Sequence, residues 1–219
     1  MLNYNIQSLN SKVSGREDVH QDAMGWFQLF VKRTFDIVIA IVALVILSPV
    51  ILVFAVILLF DEGPVIYSQE RIGYKGRPFT IYKFRSMRPD SEKNGIPRLA
   101  DERGKCLTPV GSFMRAHHLD EIPQLWNVLK GDMSFVGPRP ERQYFINQIN
   151  ALTDDYKYIY LMRPGVTSYA TVHNGYTDTM EKMLKRLELD LEYLDNRSLK
   201  TDAAIILETV CSVFSGKKF

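Results

Sequence analysis

The chain has 219 residues, enough for one domain with an appendage, and 46% of them are hydrophobic, which excludes a disordered chain. Its 27 Lys and Arg against 25 Asp and Glu leave a net charge of +2, too mild to indicate polyanion binding, and no nucleic-acid partner is expected. Two cysteines, Cys106 and Cys211, exclude a disulfide framework and a four-thiolate zinc site.

Residues 1–25 read as a polar, loosely held N-terminal arm. Trp26, Phe27, Leu29 and Phe30 follow, aromatic-rich in the manner of a membrane interface. From Ile37 to Phe60 the chain is apolar for 24 residues without a charge, and Ser48 is the one strongly polar side chain in the block. Pro49 divides it into two halves of eleven residues. Each is roughly 16 Å of helix, too short to cross a hydrocarbon core of about 30 Å, whereas the two laid straight reach far enough. The Ser48 hydroxyl can partly replace the backbone bond that Pro49 removes. A polar stretch of about 25 residues before the block and the lack of a small-residue cleavage site after it argue against a signal peptide. Lys32 and Arg33 precede it, and Arg71, Lys75, Arg77, Lys83, Arg85 and Arg88 follow it with no acid between them. Basic flanks on both sides leave a straight span and a re-entrant hairpin equally open. Lys32 and Asp36, four residues apart, are spaced to pair on one helix face near the headgroups.

Beyond residue 61 the pattern becomes mixed. Val65-Ile66-Tyr67 and Phe79–Arg85 read as strands, with a glycine-rich turn over Arg71–Gly76 between them. Residues 90–107 read as a polar loop. Helices are expected from about Pro109 to His118, and from near Asp120–Pro123 to Lys130, where Gly131 stops the second. Gly137-Pro138-Arg139-Pro140 and Arg163-Pro164-Gly165 force turns. Met180, Met183, Leu184, Leu187, Leu191 and Leu194 fall on one helix face, with Asp178 and Glu181 placed to cap its start. Ala203, Ile206, Leu207, Val210 and Val213 form a second apolar stripe, with Gly216 beyond it.

Few positions carry chemistry. Asp120-Glu121 precedes Pro123, which suits a first helical turn, so both acids lie near a helix N-terminus whose positive end favours ionised carboxylates. Such a carboxylate can attack phosphorus or hold a hard cation. Arg139, fixed between two prolines, is either part of a rigid connector or a guanidinium held for bidentate phosphate recognition. Arg115, Arg163, Lys83 and Arg85 can add to such a site, or Lys83 and Arg85 can contact lipid headgroups. His117, His118 and His173 lack the spacing of a zinc site.

In these residues the chain resembles the bacterial monotopic phosphoglycosyl transferases, the bacterial sugar transferase family of undecaprenyl-phosphate sugar phosphotransferases. The resemblance runs from Lys32-Arg33 through Ser48-Pro49, Gln69-Glu70-Arg71-Ile72-Gly73 and Lys83-Phe84-Arg85-Ser86-Met87. It continues in Leu119–Gln124, Asn127–Ser134, Val136–Pro140, Arg163–Thr167, Leu189-Asp190 and Tyr193–Asn196, covering roughly residues 30–212. One stretch, Ser168–Gly175, departs from the family's usual Gly-aromatic-Ala-Gln-Val-Asn-Gly continuation.

The resemblance implies an α/β fold, membrane-associated, with a Ser-Pro-kinked re-entrant helix over 26–61 and a compact cytoplasmic catalytic body over 62–219 whose C-terminal part is helical. It implies transfer of a phospho-sugar from a UDP-sugar to polyprenyl (undecaprenyl) phosphate, with UMP released, at the cytoplasmic face of the bacterial inner membrane. That step would initiate polysaccharide, capsule, O-antigen or glycoprotein glycan assembly, with downstream glycosyltransferases as possible partners. By similarity Asp120 is the nucleophile that forms a covalent phosphosugar, Glu121 binds Mg²⁺ and Arg139 binds phosphate. Arg115, Lys83, Arg85 and Arg163 are helpers, and Asp190 and Asp195 are weaker candidates. The chain lacks the long N-terminal multi-helix extension of larger relatives and reads as the minimal catalytic form. Two other functions use the same residues. A metal-dependent diphosphate hydrolase would replace the lipid acceptor by water. A non-catalytic scaffold would only bind anionic lipid, and it has no physical need of the acid pair.

Overall fold

The structure, a computed structural model, describes residues 19–61, 63–88, 106–175, 177 and 179–215. The apolar block lies within one α-helix, α1 (Trp26–Leu59), 34 residues long with Pro49 inside it. Pro49 has no N–H for the Val45 carbonyl four residues back, and the Ser48 hydroxyl donates to that carbonyl at 2.7 Å. The helix therefore passes its proline with the freed acceptor satisfied. Among the described residues it is the one helix long and apolar enough to cross a membrane.

One stripe of α1 faces the rest of the protein along its whole length. Lys32, Asp36, Ala40 and Leu58 are buried, and Leu44, Leu47, Ile51 and Phe54 pack partly buried against the core between them. The opposite face leaves Phe35, Val38, Val42, Val45, Ile46, Val53 and Val56 exposed. The Lys32–Asp36 pair expected from spacing does not form. Lys32 Nζ instead donates to the Val136 carbonyl at 3.0 Å and to Asp202 at 2.5 Å. Asp36 accepts the Phe135 N–H at 3.1 Å. Both charges point into protein because buried partners await them there, not toward headgroups.

The body opens with an antiparallel hairpin, β1 (Ile66–Ile72) and β2 (Pro78–Phe84), in which Tyr67 opposes Lys83. Arg71 and Ile72, expected in the turn, belong to β1. The turn contracts to Tyr74–Gly76, closed by the Gly73 N–H donating to the Arg77 carbonyl at 2.9 Å. Next come α2 (Pro109–Ala116), a 3₁₀ turn (Leu119–Glu121) and α3 (Gln124–Lys130). Two short strands, β3 (Ser134–Val136) and β4 (Gly165–Thr167), pair in parallel, a sheet that three-residue apolar runs do not announce. Gly137 and Gly165 permit their close approach. A Cβ at Gly137 would stand 2.1 Å from the Arg163 carbonyl oxygen, and one at Gly165 would stand 2.2 Å from the Gly137 nitrogen. Between the strands run α4 (Gln143–Asn150) and α5 (Tyr156–Ile159).

The rest is helical, with α6 (Tyr169–Asn174), α7 (Met180–Asn196) and α8 (Leu199–Ser215). The expected stripe of α7 is the core: Met183, Leu187, Leu191 and Leu194 bury against Phe145, Ile146 and Ile149 of α4. Its cap is Thr179, whose side chain accepts the Lys182 N–H at 3.2 Å. Asp178, Gly216 and most of the 90–107 loop lie outside the described residues. The expected stripe of α8 is only in part the buried face, with Ile206 packed partly buried against the core. Ala203, Leu207 and Val210 are exposed while Asp202 and Ile205 are buried. The Asp202 carboxylate takes both Lys32 Nζ and the Tyr193 hydroxyl. The part of the polar arm that is described, residues 19–25, docks on the end of α7, where the Ala23 N–H donates to the Leu194 carbonyl at 3.1 Å and Asp22 pairs with Arg197.

Candidate active site

The acid pair sits on a short bridge between two helices. Thr108 caps α2 by accepting the Gly111 N–H at 2.9 Å, with Pro109 in the first turn. Gly111 lies so close to β2's end that a Cβ there would stand 1.9 Å from the Ser86 carbonyl oxygen, which fixes α2 beside the strand that carries Lys83. His118 then takes a left-handed backbone, φ 55°, rare for a residue with a β-carbon. That reversal ends α2 and starts the 3₁₀ turn of Leu119, Asp120 and Glu121. Pro123 is the N-cap of α3, so the acids precede the helix instead of forming its first turn.

The two carboxyls meet opposite fates. Asp120 is 5% exposed. Burial pushes its carboxyl up, the neighbouring Glu121 charge pushes the same way, and Lys83, Arg115 and His118 oppose them. Burial acts on Glu121 too, but the Lys83 and Arg139 cations outweigh it and hold this carboxyl down at about 2. Lys83 Nζ lies 2.5 Å from Glu121 Oε1, and an Arg139 guanidinium nitrogen lies 3.9 Å from the same oxygen. Burial lowers Lys83 from the ordinary lysine value, with Arg139 adding to the fall and Glu121 opposing it. The expectation that one helix terminus keeps both acids ionised gives way to a division: Glu121 is held below the ordinary carboxylate range by its cations, and Asp120 is raised above it by burial.

Asp120, Glu121, Lys83, Arg115 and Arg139 are thus brought together. Three predicted residues are placed elsewhere. Arg85 is buried at the end of α1, donating to the Leu58 carbonyl at 3.3 Å and the Pro64 carbonyl at 3.0 Å, with Asp61 at 3.2 Å. It caps the apolar helix, since the last carbonyls of a helix attract a cation. Arg163 donates through Nε to the Gly131 carbonyl at 3.1 Å and stacks on Tyr74, 4.9 Å from the ring centre. Asp195 holds the arm, with His20 Nδ1 at 2.6 Å and the Gln21 N–H at 3.1 Å. Asp190 is buried on α7 and lines a cleft that Arg139 also lines.

Sequence reasoning missed Glu141 and Arg186. Glu141 follows Pro140 directly, pairs with Arg186 and has an Arg71 nitrogen 3.6 Å away. An acid immediately after a rigid Pro-Arg-Pro element was the available signal. Arg186 gave none, because it lies between Met183 and Leu187 on an otherwise apolar face.

A buried acid beside an acid held low, with cations converging on both, suits chemistry at a phosphorus centre. The family model described as "Bacterial sugar transferase" matches residues 27–216.

The chain belongs to the bacterial sugar transferase family.

The chain is 36% identical over 222 residues to a UDP-N-acetylgalactosamine-undecaprenyl-phosphate N-acetylgalactosaminephosphotransferase of Aeromonas hydrophila, covering 97% of the present chain and 52% of the relative. It is 41% identical over 189 residues to a UDP-glucose:undecaprenyl-phosphate glucose-1-phosphate transferase of Escherichia coli K12, covering 85% and 40%. A glucose-1-phosphate transferase of the same description from Caulobacter vibrioides is 39% identical over 189 residues, covering 84% and 70%. The chain thus spans about half the length of these first two relatives.

Proposed function

We propose that the protein transfers a sugar phosphate from a UDP-sugar to polyprenyl phosphate at the cytoplasmic face of the bacterial inner membrane. The observation that carries this reading is Asp120, buried beside a Glu121 that Lys83 and Arg139 keep charged. The names of the relatives supply the substrate class, and the outward apolar face of α1 supplies a bilayer contact. Both ends of α1 touch the body, Lys32 at Val136 and Leu58 at Arg85, which supports a re-entrant helix with both ends on one side.

In this mechanism a carboxylate oxygen of Asp120 attacks the phosphorus that bears the sugar. The bond to the bridging oxygen breaks, UMP leaves with that oxygen, and an aspartyl phosphosugar remains. A phosphate oxygen of the polyprenyl acceptor then attacks the same phosphorus and releases Asp120, giving polyprenyl-diphosphate-sugar. Arg139, the more exposed of the two cations, binds the diphosphate, while Lys83 holds Glu121. Arg115 keeps Asp120 ionisable against burial.

Among the described residues no cluster of three or more His, Cys, Asp or Glu side chains forms a metal cage. Mg²⁺ does not require one, since it binds through one or two carboxylates with substrate phosphates and water. The donor set of Glu121, held ionised, and neighbouring Asp120 fits that requirement. Bound there, Mg²⁺ would neutralise charge on the diphosphate.

Asp120→Asn tests the reading. It should abolish UMP release from UDP-sugar, polyprenyl phosphate and Mg²⁺, and mass spectrometry of donor-treated wild type should find the phosphosugar on residue 120. Turnover by the variant at the wild-type rate would remove the nucleophile assignment. Free sugar phosphate in place of lipid product would make the protein a hydrolase.

A further inference from the structure

The acid pair has unlike surroundings. Lys83 and Arg139 stand at Glu121. Leu119 and Ile122, which flank the acids in the chain, belong instead to an apolar cluster with Phe54, Leu58, Phe84 and Met114. The half of α1 that follows Pro49 therefore lies against the turn that carries Asp120. On α2, Met114 is fully buried in this cluster, whereas the neighbouring Phe113 is 53% exposed. The Phe113 ring stacks on Phe54 with centres 6.4 Å apart and planes 28° from parallel, and the His117 ring lies 4.4 Å from it. Val53 and Ile57, beside Phe54 and one turn beyond it on α1, are exposed as well. The Phe113 ring thus continues the apolar surface of α1 toward the end of α2, where Arg115 acts on Asp120. Core packing does not require the ring, because Met114 already holds α2. An exposed aromatic continuous with a larger apolar surface marks a contact surface.

A polyprenyl phosphate acceptor must bring its anionic head to within about 3–3.5 Å of the phosphorus on Asp120 while its hydrocarbon chain stays out of water. A surface that is cationic at one end and apolar at the other matches that molecule. The edge between α1 and α2 has this form, running from Arg115 to Phe113, Phe54 and the exposed residues of α1. The Lys83 and Arg139 charges at Glu121 suit the donor's diphosphate instead. We infer that Phe113, stacked on Phe54, is the seat of the first isoprene units of the acceptor and guides its phosphate onto Asp120. This assignment rests on the function proposed above and adds to it a residue that recognises the lipid chain, as distinct from the groups that bind phosphate.

Phe113→Ala removes the ring from an exposed position, and Phe113→Leu keeps an apolar side chain there. Ile46→Ala is the control for bulk lipid, since Ile46 is 68% exposed on α1 before the Ser48-Pro49 step. The full chain is assayed in phospholipid vesicles with undecaprenyl phosphate and the UDP-sugar that the wild type uses. Phe113→Ala should raise KM for undecaprenyl phosphate by roughly 5–30-fold, the scale of losing a half-buried aromatic contact. Phe113→Leu should fall in between, and Ile46→Ala should stay within about twofold of wild type. KM for the UDP-sugar should not change, and kcat should stay within about threefold. UMP release and the phosphosugar adduct with donor alone should stay at the wild-type level, because that half of the reaction does not use the lipid. An unchanged acceptor KM in Phe113→Ala overturns the assignment. An equal rise in Ile46→Ala also overturns it and makes Phe113 one more contact with bulk lipid. Loss of the donor-only adduct, or a melting temperature lowered by more than about 10 °C in both Phe113 variants, overturns it too, because Phe113 would then support the fold or the acid pair. No lipid product from the wild type sinks the proposed function together with this assignment, whereas wild-type product with an unchanged acceptor KM in Phe113→Ala sinks the assignment alone.

Discussion

Lys83 Nζ lies 2.5 Å from Glu121 Oε1, and both side chains are largely withdrawn from water. The contact explains how two adjacent carboxyls can differ in charge. Removing one member of such a pair leaves an uncompensated charge and costs about 3–5 kcal/mol. Lys83→Met should therefore lower kcat/KM for the UDP-sugar by at least ~100-fold, the scale of losing a fixed electrostatic contact at a reacting phosphate. Steady-state UMP release measures this, and a variant within threefold of wild type would show that Lys83 does not set the charge of the site.

The second buried pair joins the apolar helix to the body. Lys32 Nζ reaches Asp202 at 2.5 Å, and the Tyr193 hydroxyl donates to the other carboxylate oxygen. Lys32→Met or Asp202→Asn alone should destabilise the fold by about 3–5 kcal/mol, each leaving a buried group unpaired. The double variant should cost less than the sum, by about 1 kcal/mol or more. Chemical denaturation in detergent reads the cycle, and strict additivity would mean that the two groups do not interact.

The acids of the cleft respond to pH with opposite signs. Asp190 is raised to about 7 by burial, with Arg186 and the Ala170 N–H opposing and Glu141 adding to the rise. A raised carboxyl contributes stability below its unfolded value near ~4 and loses it as pH climbs through the folded value. Glu141 is lowered overall, because Arg186, Arg71 and Arg139 outweigh the burial that pushes it up. Its contribution is present above the unfolded value and disappears as pH falls. Asp190→Asn should therefore melt higher than wild type at about pH 8, with the difference closing near about pH 4. Glu141→Gln should melt lower at about pH 8, with its deficit shrinking in acid. Thermal melts across that range decide both signs.

The topology of α1 is open to labelling. Gly25 has open space beyond its α-carbon, and Ser68 is exposed on β1, so cysteines fit both positions. With Cys106 and Cys211 replaced by serine, Gly25→Cys and Ser68→Cys should react with an impermeant maleimide from the same side of sealed vesicles. Reaction from opposite sides would establish a span.

The apolar helix with its serine-proline step, the β1–β2 hairpin, the acid pair and the apolar stripe of α7 were legible from local pattern, whereas β3, β4 and the helices α4 to α6 were not. Periodicity, turn residues and an unbroken apolar run act over a few residues, and sequence carries them directly. The direction of individual charges was not legible. Lys32 and Asp36 satisfy a helical pairing rule, yet each finds a partner about a hundred residues or more away. Arg85 resembles a headgroup or phosphate ligand and instead closes the end of α1. On α8 a buried carboxylate, Asp202, takes an inward position while Ala203, Leu207 and Val210 of the apparent core stripe face outward. Glu141 and Arg186, 45 residues apart, meet only once β3 and β4 and the helices around them have packed. Local sequence decides which segments form helices and which residues can do phosphoryl chemistry. The buried environment decides which of those residues are charged, because desolvation and opposing charges act across space, between segments that only the tertiary structure brings together.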